Sequence, residues 1–150
     1  MNGPQSAECL RRARERVMNI LVVASLGIAV SGLILRNTAA GALPIRADRA
    51  RQLAQLLLFV LVIASVRLRG RLPNRGEESS LSKANRFVAF RTASAVSAGL
   101  AVPLGLVYGW AINPDLWTIA PFWAVAIGFG VLAFPRSPQV ESLGLDGPDA

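Results

Sequence analysis

The stretch that decides the fold runs from Phe87 to Arg136 and reads FVAFRTASAVSAGLAVPLGLVYGWAINPDLWTIAPFWAVAIGFGVLAFPR. It holds two apolar runs, and each is long enough at ~1.5 Å per residue to cross a hydrocarbon layer of ~30 Å. Between them, Asn113, Pro114 and Asp115 supply an N-cap, a proline at the first helical position and an acid in the first turn. That order favours the start of a helix. The stretch therefore predicts a transmembrane helical hairpin.

Small residues recur at every fourth position in both limbs of this hairpin. Such spacing lets two helix backbones approach closely, which is the main source of helix association where lipid gives no hydrophobic drive. We therefore predict that the two sets pack against each other. The first ladder consists of Ala93, Ser97, Ala101, Gly105 and Gly109, and the second ladder consists of Ala120, Ala124 and Gly128.

Aromatic residues surround the predicted turn. They are Tyr108, Trp110, Trp117 and Trp123, which include all three tryptophans and the only tyrosine of the chain. Amphipathic rings favour the interface between membrane and water, so we predict that these four side chains anchor the hairpin there. The turn has no basic residue, which is typical of an extracytoplasmic segment.

Pro103 lies near the middle of the first limb. It removes the backbone hydrogen bond to the carbonyl of Gly99 and tends to kink the helix. Two interpretations follow: Gly99 and Pro103 form a hinge for a transport cycle, or they form a static kink of the kind that membrane helices tolerate.

The composition indicates a membrane protein. Apolar residues make up 53% of the 150 residues, charged residues make up 17%, and the mean hydropathy is +0.44. The net charge of +7 comes from basic residues that cluster at the ends of apolar runs. Because this is the pattern of membrane orientation, we expect the lipid bilayer as a partner and no binding of nucleic acid.

The full chain predicts an all-α integral membrane protein with four transmembrane helices arranged as two hairpins. Twelve of the sixteen basic residues lie before the first span, between the second and third spans, or in the tail. The positive-inside rule therefore places both termini in the cytoplasm. The predicted transmembrane domain is 17–134, with spans at about 17–35, 50–68, 90–112 and 115–134, a basic cytoplasmic loop at 67–86, a basic segment at 1–16 and a disordered tail at 135–150.

Three local alternatives accompany this topology. The basic segment predicts a short surface helix, either lying on lipid headgroups or solvated. The first span could be a signal peptide cleaved near Ala40-Gly41-Ala42, although it is longer than a usual hydrophobic region. Cys9, beside the basic segment, is either a free thiol or an acylation site.

The sequence predicts no catalytic, cofactor-binding or metal-binding residue, and hence no enzyme. There is no histidine and one cysteine. Arg91 lies at the cytoplasmic mouth of the third span, and no ionisable side chain lies between the end positions of the spans. Such a residue is the usual sign of a proton or ion pathway. Ser94 and Ser97 lack a nearby base, so we do not expect them to act as nucleophiles.

The function expected from the sequence is that of a non-enzymatic structural, accessory or assembly component, with homo-oligomeric or hetero-oligomeric membrane partners. Fifteen of the sixteen basic residues are arginine and alanine is abundant, which suggests a bacterial cytoplasmic membrane protein. The alternative is a small transporter or channel component that uses the kinked third helix or a pore lined by Ser94 and Ser97. A packed first ladder favours the former, and a ladder that faces water favours the latter.

Overall fold

The structure is a computed structural model that describes residues 4–37, 47–70, 80–112, 116–141 and 143. Within these ranges it contains helices and no β-strand. Three helical segments, Gln5–Asn37, Arg49–Gly70 and Leu81–Ala111, are long and apolar enough to cross a membrane, and Trp117–Leu132 is a shorter apolar helix. The prediction of an all-α protein is confirmed for the described residues, and three of its helices are long and apolar enough to span a membrane. The helices are α1 Pro4–Asn37, α2 Ala47–Gly70, α3 Ser80–Gly99, α4 Ala101–Ala111, α5 Leu116–Leu132 and α6 Ser137–Glu141.

Several predicted features lie outside the described residues. These are the turn at Asn113-Pro114-Asp115, the pattern Ala40-Gly41-Ala42, residues 71–79 of the predicted loop, and residues 142 and 144–150 of the tail. At the two ends of the predicted loop, α2 continues to Gly70 and α3 begins at Ser80. Helix therefore replaces part of the predicted loop on both sides.

The first helix combines the predicted surface helix and the first span. α1 is continuous over 34 residues, or about 51 Å, which exceeds the ~30 Å hydrocarbon thickness. Near its beginning, Cys9, Leu10 and Ala13 form a buried cluster with Phe87 and Val88 of α3. This apolar face thus packs on another helix, which corrects the alternative in which it lies on lipid headgroups.

Helices α1 and α2 do not contact each other within the described residues, although each contacts α3, α4 and α5. The prediction of two hairpins is therefore wrong for the first pair, while α4 and α5 do pack together. The physical reason is that both helices pack on the small residues of the α3–α4 segment and on α5, which lie between them. The α3–α4 segment and α5 therefore lie next to each other in the middle of the bundle, and α1 and α2 lie on opposite sides of them. Seen in cross-section, the four apolar segments form a rhombus with α1 and α2 at its two distant corners.

The direction of each helix follows from neighbouring residues. Cys9 lies beside Ala84, and Gly99 faces Ile20, so α1 and α3 are parallel. Ser65 bonds to Ser94 and Leu61 bonds to Ser97, so α2 runs antiparallel to α3. The clusters that join Ala24, Ala101 and Ala126 at one level and Val17, Ala95 and Ala133 at another make α5 antiparallel to α1 and α3.

The tail that was predicted to be disordered contains a short helix. Over Ser137–Glu141, α6 contacts α1, and the Arg136 N–H donates to Oε1 of Gln139 at 3.2 Å. Leu143 packs against the cluster of Cys9 and Phe87. The reason is that the neighbouring ends of α1 and α3 present an apolar surface that a tail following α5 can reach.

The fifth helix contains a proline that the sequence analysis overlooked. Pro121 lies inside α5 and is exposed on its surface. Because proline has no N–H, it cannot donate the usual helical hydrogen bond to the residue four positions earlier. The first turns of α5 therefore resemble α4, which also contains a proline near its beginning.

Candidate functional site

The first ladder lies at the centre of the bundle. Its members Ser97, Ala101, Gly105 and Gly109 are buried, and Ala93 is half-buried. A Cβ atom added at Gly105 would lie 2.8 Å from Cβ of Phe122, and one added at Gly109 would lie 2.5 Å from Cδ1 of Ile119. Side chains of α5 therefore fill the space that these glycines leave.

The second ladder does not make that contact, which corrects the predicted packing of ladder against ladder. Ala124 and Gly128 are exposed and Ala120 is half-buried, and a Cβ atom at Gly128 would meet nothing within 4 Å. The reason is complementarity of size, since glycines on one helix accept large side chains on the next. The buried face of α5 is formed instead by Ile119, Phe122, Ala126, Gly130 and the following Ala133.

Three serines join α2 to α3, and we refer to Ser65, Ser94 and Ser97 as the serine clasp. Oγ of Ser65 donates to the carbonyl of Ser94 at 3.1 Å, and Oγ of Ser94 donates to the carbonyl of Ser65 at 2.9 Å. Oγ of Ser97 donates to the carbonyl of Leu61 at 3.2 Å. The hydroxyl protons are thus held by backbone acceptors, which is a structural arrangement and not that of an activated nucleophile.

The four aromatic residues divide into two pairs. Trp110 and Trp117 are exposed, Trp117 to 87%, which suits rings at a membrane interface. Tyr108 is buried, and its ring centroid lies 5.5 Å from that of Phe122. Trp123 packs towards Gly32 of α1, and its buried Nε1 has no hydrogen-bond partner among the described residues. Tyr108 and Trp123 therefore contribute to helix contacts, and the interface role of the four aromatic residues stays a prediction.

The break between α3 and α4 is a single turn residue, Leu100, which lies between the two residues of the predicted hinge. Its φ of −63° and ψ of −15° remain in the helical region, so the helix continues across it from Leu81 to Ala111. Gly99 ends α3, Leu100 forms a turn, and α4 begins at Ala101. The N–H of Leu100 still bonds to the carbonyl of Val96 at 3.0 Å, and the N–H of Leu104 bonds to the carbonyl of Leu100 at 3.3 Å. Because Pro103 supplies no N–H, the backbone is weakened at this point, whichever of the two interpretations of the break applies.

Arg91 is the most unusual polar residue in the described part of the chain. It is 3% exposed, and its Nη1 atom has no hydrogen-bond partner there. Its guanidinium carbon lies 5.2 Å from the centroid of the Phe87 ring, a cation–π distance. The sequence analysis placed Arg91 at the mouth of the third span but had no signal for its burial, which depends on the packing of neighbouring helices.

A long groove lies between α1 and the α3–α4 segment and has a volume of about 570 Å³. Its lining is apolar apart from Asn19 and Ser31. Gly27 and Gly99 lie along it, and Leu100 and Pro103 line it beside the helix break. The sequence analysis missed this feature, because the two glycines lie on helices whose alignment only the folded chain reveals.

Cys9, which precedes the first span, is buried in its helix contact. Its Sγ lies 3.8 Å from the carbonyl oxygen of Ala84. Burial raises the pKa of the Cys9 thiol, and the positive charge of Arg12 opposes this effect only in part. A less accessible and less ionised thiol favours the free-thiol interpretation over acylation.

The described residues contain no group of three or more His, Cys, Asp and Glu side chains that could hold a metal ion. No protein-family model, curated protein or solved structure matches this chain.

Proposed function

We propose that this protein is a non-enzymatic, four-span component of the bacterial cytoplasmic membrane. In this proposal both termini lie in the cytoplasm, and α5 is the fourth span. The supporting features are the apolar character of α5, its antiparallel packing against α1 and α3, and the excess of basic residues at one end of the bundle.

The observation that most favours a structural role is the packing of the first ladder. Phe122 and Ile119 fill the space beside Gly105 and Gly109, and the Ser97 hydroxyl donates a hydrogen bond to the backbone of α2. A helix face used in this way serves helix association. It leaves no polar lining of the kind that an aqueous pathway requires.

The surfaces left for partners are the outer faces of α1 and α2. Only 11% of the most apolar window of Arg49–Gly70 is buried, against 17% for Gln5–Asn37 and 50% for Leu81–Ala111. The two poorly buried helices occupy opposite corners of the rhombus. A role as a structural, accessory or assembly component would use these faces against other membrane subunits or further copies of the chain.

Photocrosslinking tests this role. A photoreactive amino acid replaces Phe59, which is exposed on α2, or Ser97, which faces α2 from within the bundle. The expected result in native membranes is a protein adduct, to a partner or a second copy, at position 59 and none at position 97. Adducts to lipid alone at position 59 would contradict the assembly role.

A transporter or channel component is the second candidate, and the break at Leu100 is the observation in its favour. A hinge there would let α4 move against α3. Labelling in the Cys9→Ser background separates the candidates, with Ala101→Cys as the probe and Asn85→Cys, which is exposed near the start of α3, as the accessible control. We expect a water-soluble maleimide to label position 85 and not position 101. Labelling of position 101 would favour the aqueous pathway.

A further inference from the structure

The groove between α1 and α3–α4 has the form of a lipid site. We propose that it binds one acyl chain of an anionic phospholipid, with the phosphate held at Arg16. The inference rests on the proposed membrane placement of α1. It is independent of any protein partner.

The size of the groove suits one acyl chain. Along α1 it runs from Asn19 to Ser31, a distance of about 18 Å, which is close to half of the ~30 Å hydrocarbon thickness and hence to the depth of one leaflet. The groove has a volume of about 570 Å³ and an apolar wall on each of its two helical sides, which suits a flexible acyl chain lying along them.

The shape of the groove results from small residues and from the helix break. Gly27 approaches Val102 so closely that an added Cβ atom would lie 3.2 Å from Cγ1 of that residue, and a Cβ atom at Gly99 would lie 3.8 Å from Cγ2 of Ile20. These contacts form the floor of the groove. The exposed side chains of Val23 and Leu100 form its rim.

The charge at one end of the groove selects an anionic headgroup. Arg16 precedes Asn19 by three residues and Ile20 by four, so it lies on the helix face that lines the groove. It is exposed and forms no ion pair with a described residue, whereas Arg12 is paired with Glu8 at 2.8 Å. Glu15 lies ~100° around the helix from Arg16, and α3 and α4 contain no acid. The phosphate therefore meets a positive charge without an opposing carboxylate on the facing helix.

Native mass spectrometry of the purified full chain tests this site. Phosphatidylglycerol and phosphatidylcholine with identical acyl chains are added in equal amounts, and retained lipid is counted. Val23→Trp introduces a bulky ring at the rim, while its control, Val22→Trp, changes an adjacent valine that is 59% exposed and outside the groove lining. Arg16→Gln removes the headgroup charge, and its control is Arg67→Gln, an exposed arginine at the end of α2.

The expected result is one retained phosphatidylglycerol in the unmodified protein and in both control variants. Val23→Trp should abolish the retention of both lipids. Arg16→Gln should weaken the binding of phosphatidylglycerol about fivefold, to the level of phosphatidylcholine. Helical circular dichroism must be unchanged in all four variants, which separates lost binding from lost folding. Equal retention of both lipids by every variant would overturn the proposal. It would also be overturned if free glycerol phosphate, which has no acyl chain, displaced the bound phosphatidylglycerol. A dimer that Val23→Trp dissociates would likewise overturn it, because the groove would then bind a second copy of the chain.

Discussion

At the scale of single residues, the same amino acid has different consequences on two sides of one hairpin. Gly105 in α4 and Gly128 in α5 both belong to ladders of small residues, yet one is buried against Phe122 and the other faces open space. Sequence spacing makes the two glycines equivalent. Their surroundings make them different, and this difference gives a matched experiment.

We predict that Gly105→Leu destabilises the protein and that Gly128→Leu does not. A side chain at position 105 must displace Phe122, and overpacking a tight site costs ~1–3 kcal/mol. Replacing glycine by leucine raises the helix propensity equally in both variants, so this effect cancels when their stabilities are compared. Unfolding in mixed detergent, followed by circular dichroism, should show the loss at position 105 alone. Equal stability of the two variants would mean that α5 does not close on α4.

At the scale of helices, the contact between α2 and α3 depends on the serine clasp. α2 packs closely on α3 although it has few small residues, and hydrogen bonds contribute at this contact. The reciprocal bonds of Ser65 and Ser94 satisfy both hydroxyls in an environment with little water. They also fix the register of the two helices, because each hydroxyl reaches the backbone of the other residue.

We predict a favourable coupling between Ser65 and Ser94 in a double-mutant cycle with alanine. Hydrogen bonds between membrane helices average ~0.6 kcal/mol, with a maximum near ~1.7 kcal/mol. The reciprocal geometry places this pair towards the upper value. Ser25, which is exposed on α1, provides the control cycle with Ser94, and there the coupling should be zero. The interpretation fails if unfolding measurements give the same coupling for both cycles.

At the scale of the whole molecule, the rhombic arrangement brings the beginning of α1, the end of α2, the beginning of α3 and the end of α5 to the same end of the bundle. The serine clasp and the cluster of Val17, Ala95 and Ala133 lie towards this end. The basic residues of α1 from Arg11 to Arg16, together with Arg67, Arg69 and Arg91, are found there as well. The opposite end has the exposed Trp110 and Trp117.

We therefore predict that both termini face the cytoplasm. A phosphatase that is active only outside the cytoplasm should be inactive when fused after Ala150, and a fluorescent protein at the same position should be bright. A phosphatase fused after Ala42, within the first connector, should be active and serves as the control. An active phosphatase after Ala150 would refute the topology and the identity of α5 as a span.

The sequence by itself determined the features that depend on local composition and period. Apolar length specified the helices, because a span needs about twenty residues whatever its neighbours are. Charge position specified the expected orientation, and the first ladder identified a helix face that is buried. Each of these properties belongs to one segment and needs no knowledge of the others.

Only the tertiary structure decided which faces meet. The second ladder lies on nearly the opposite side of α5 from the true contact face, a rotation of ~160° that spacing alone does not exclude. The separation of α1 from α2, the burial of Tyr108 and Arg91, and the groove between α1 and α3 depend on relative positions of distant segments. Helix association in a membrane is governed by close packing, which is a property of two surfaces together and therefore cannot be inferred from either one alone.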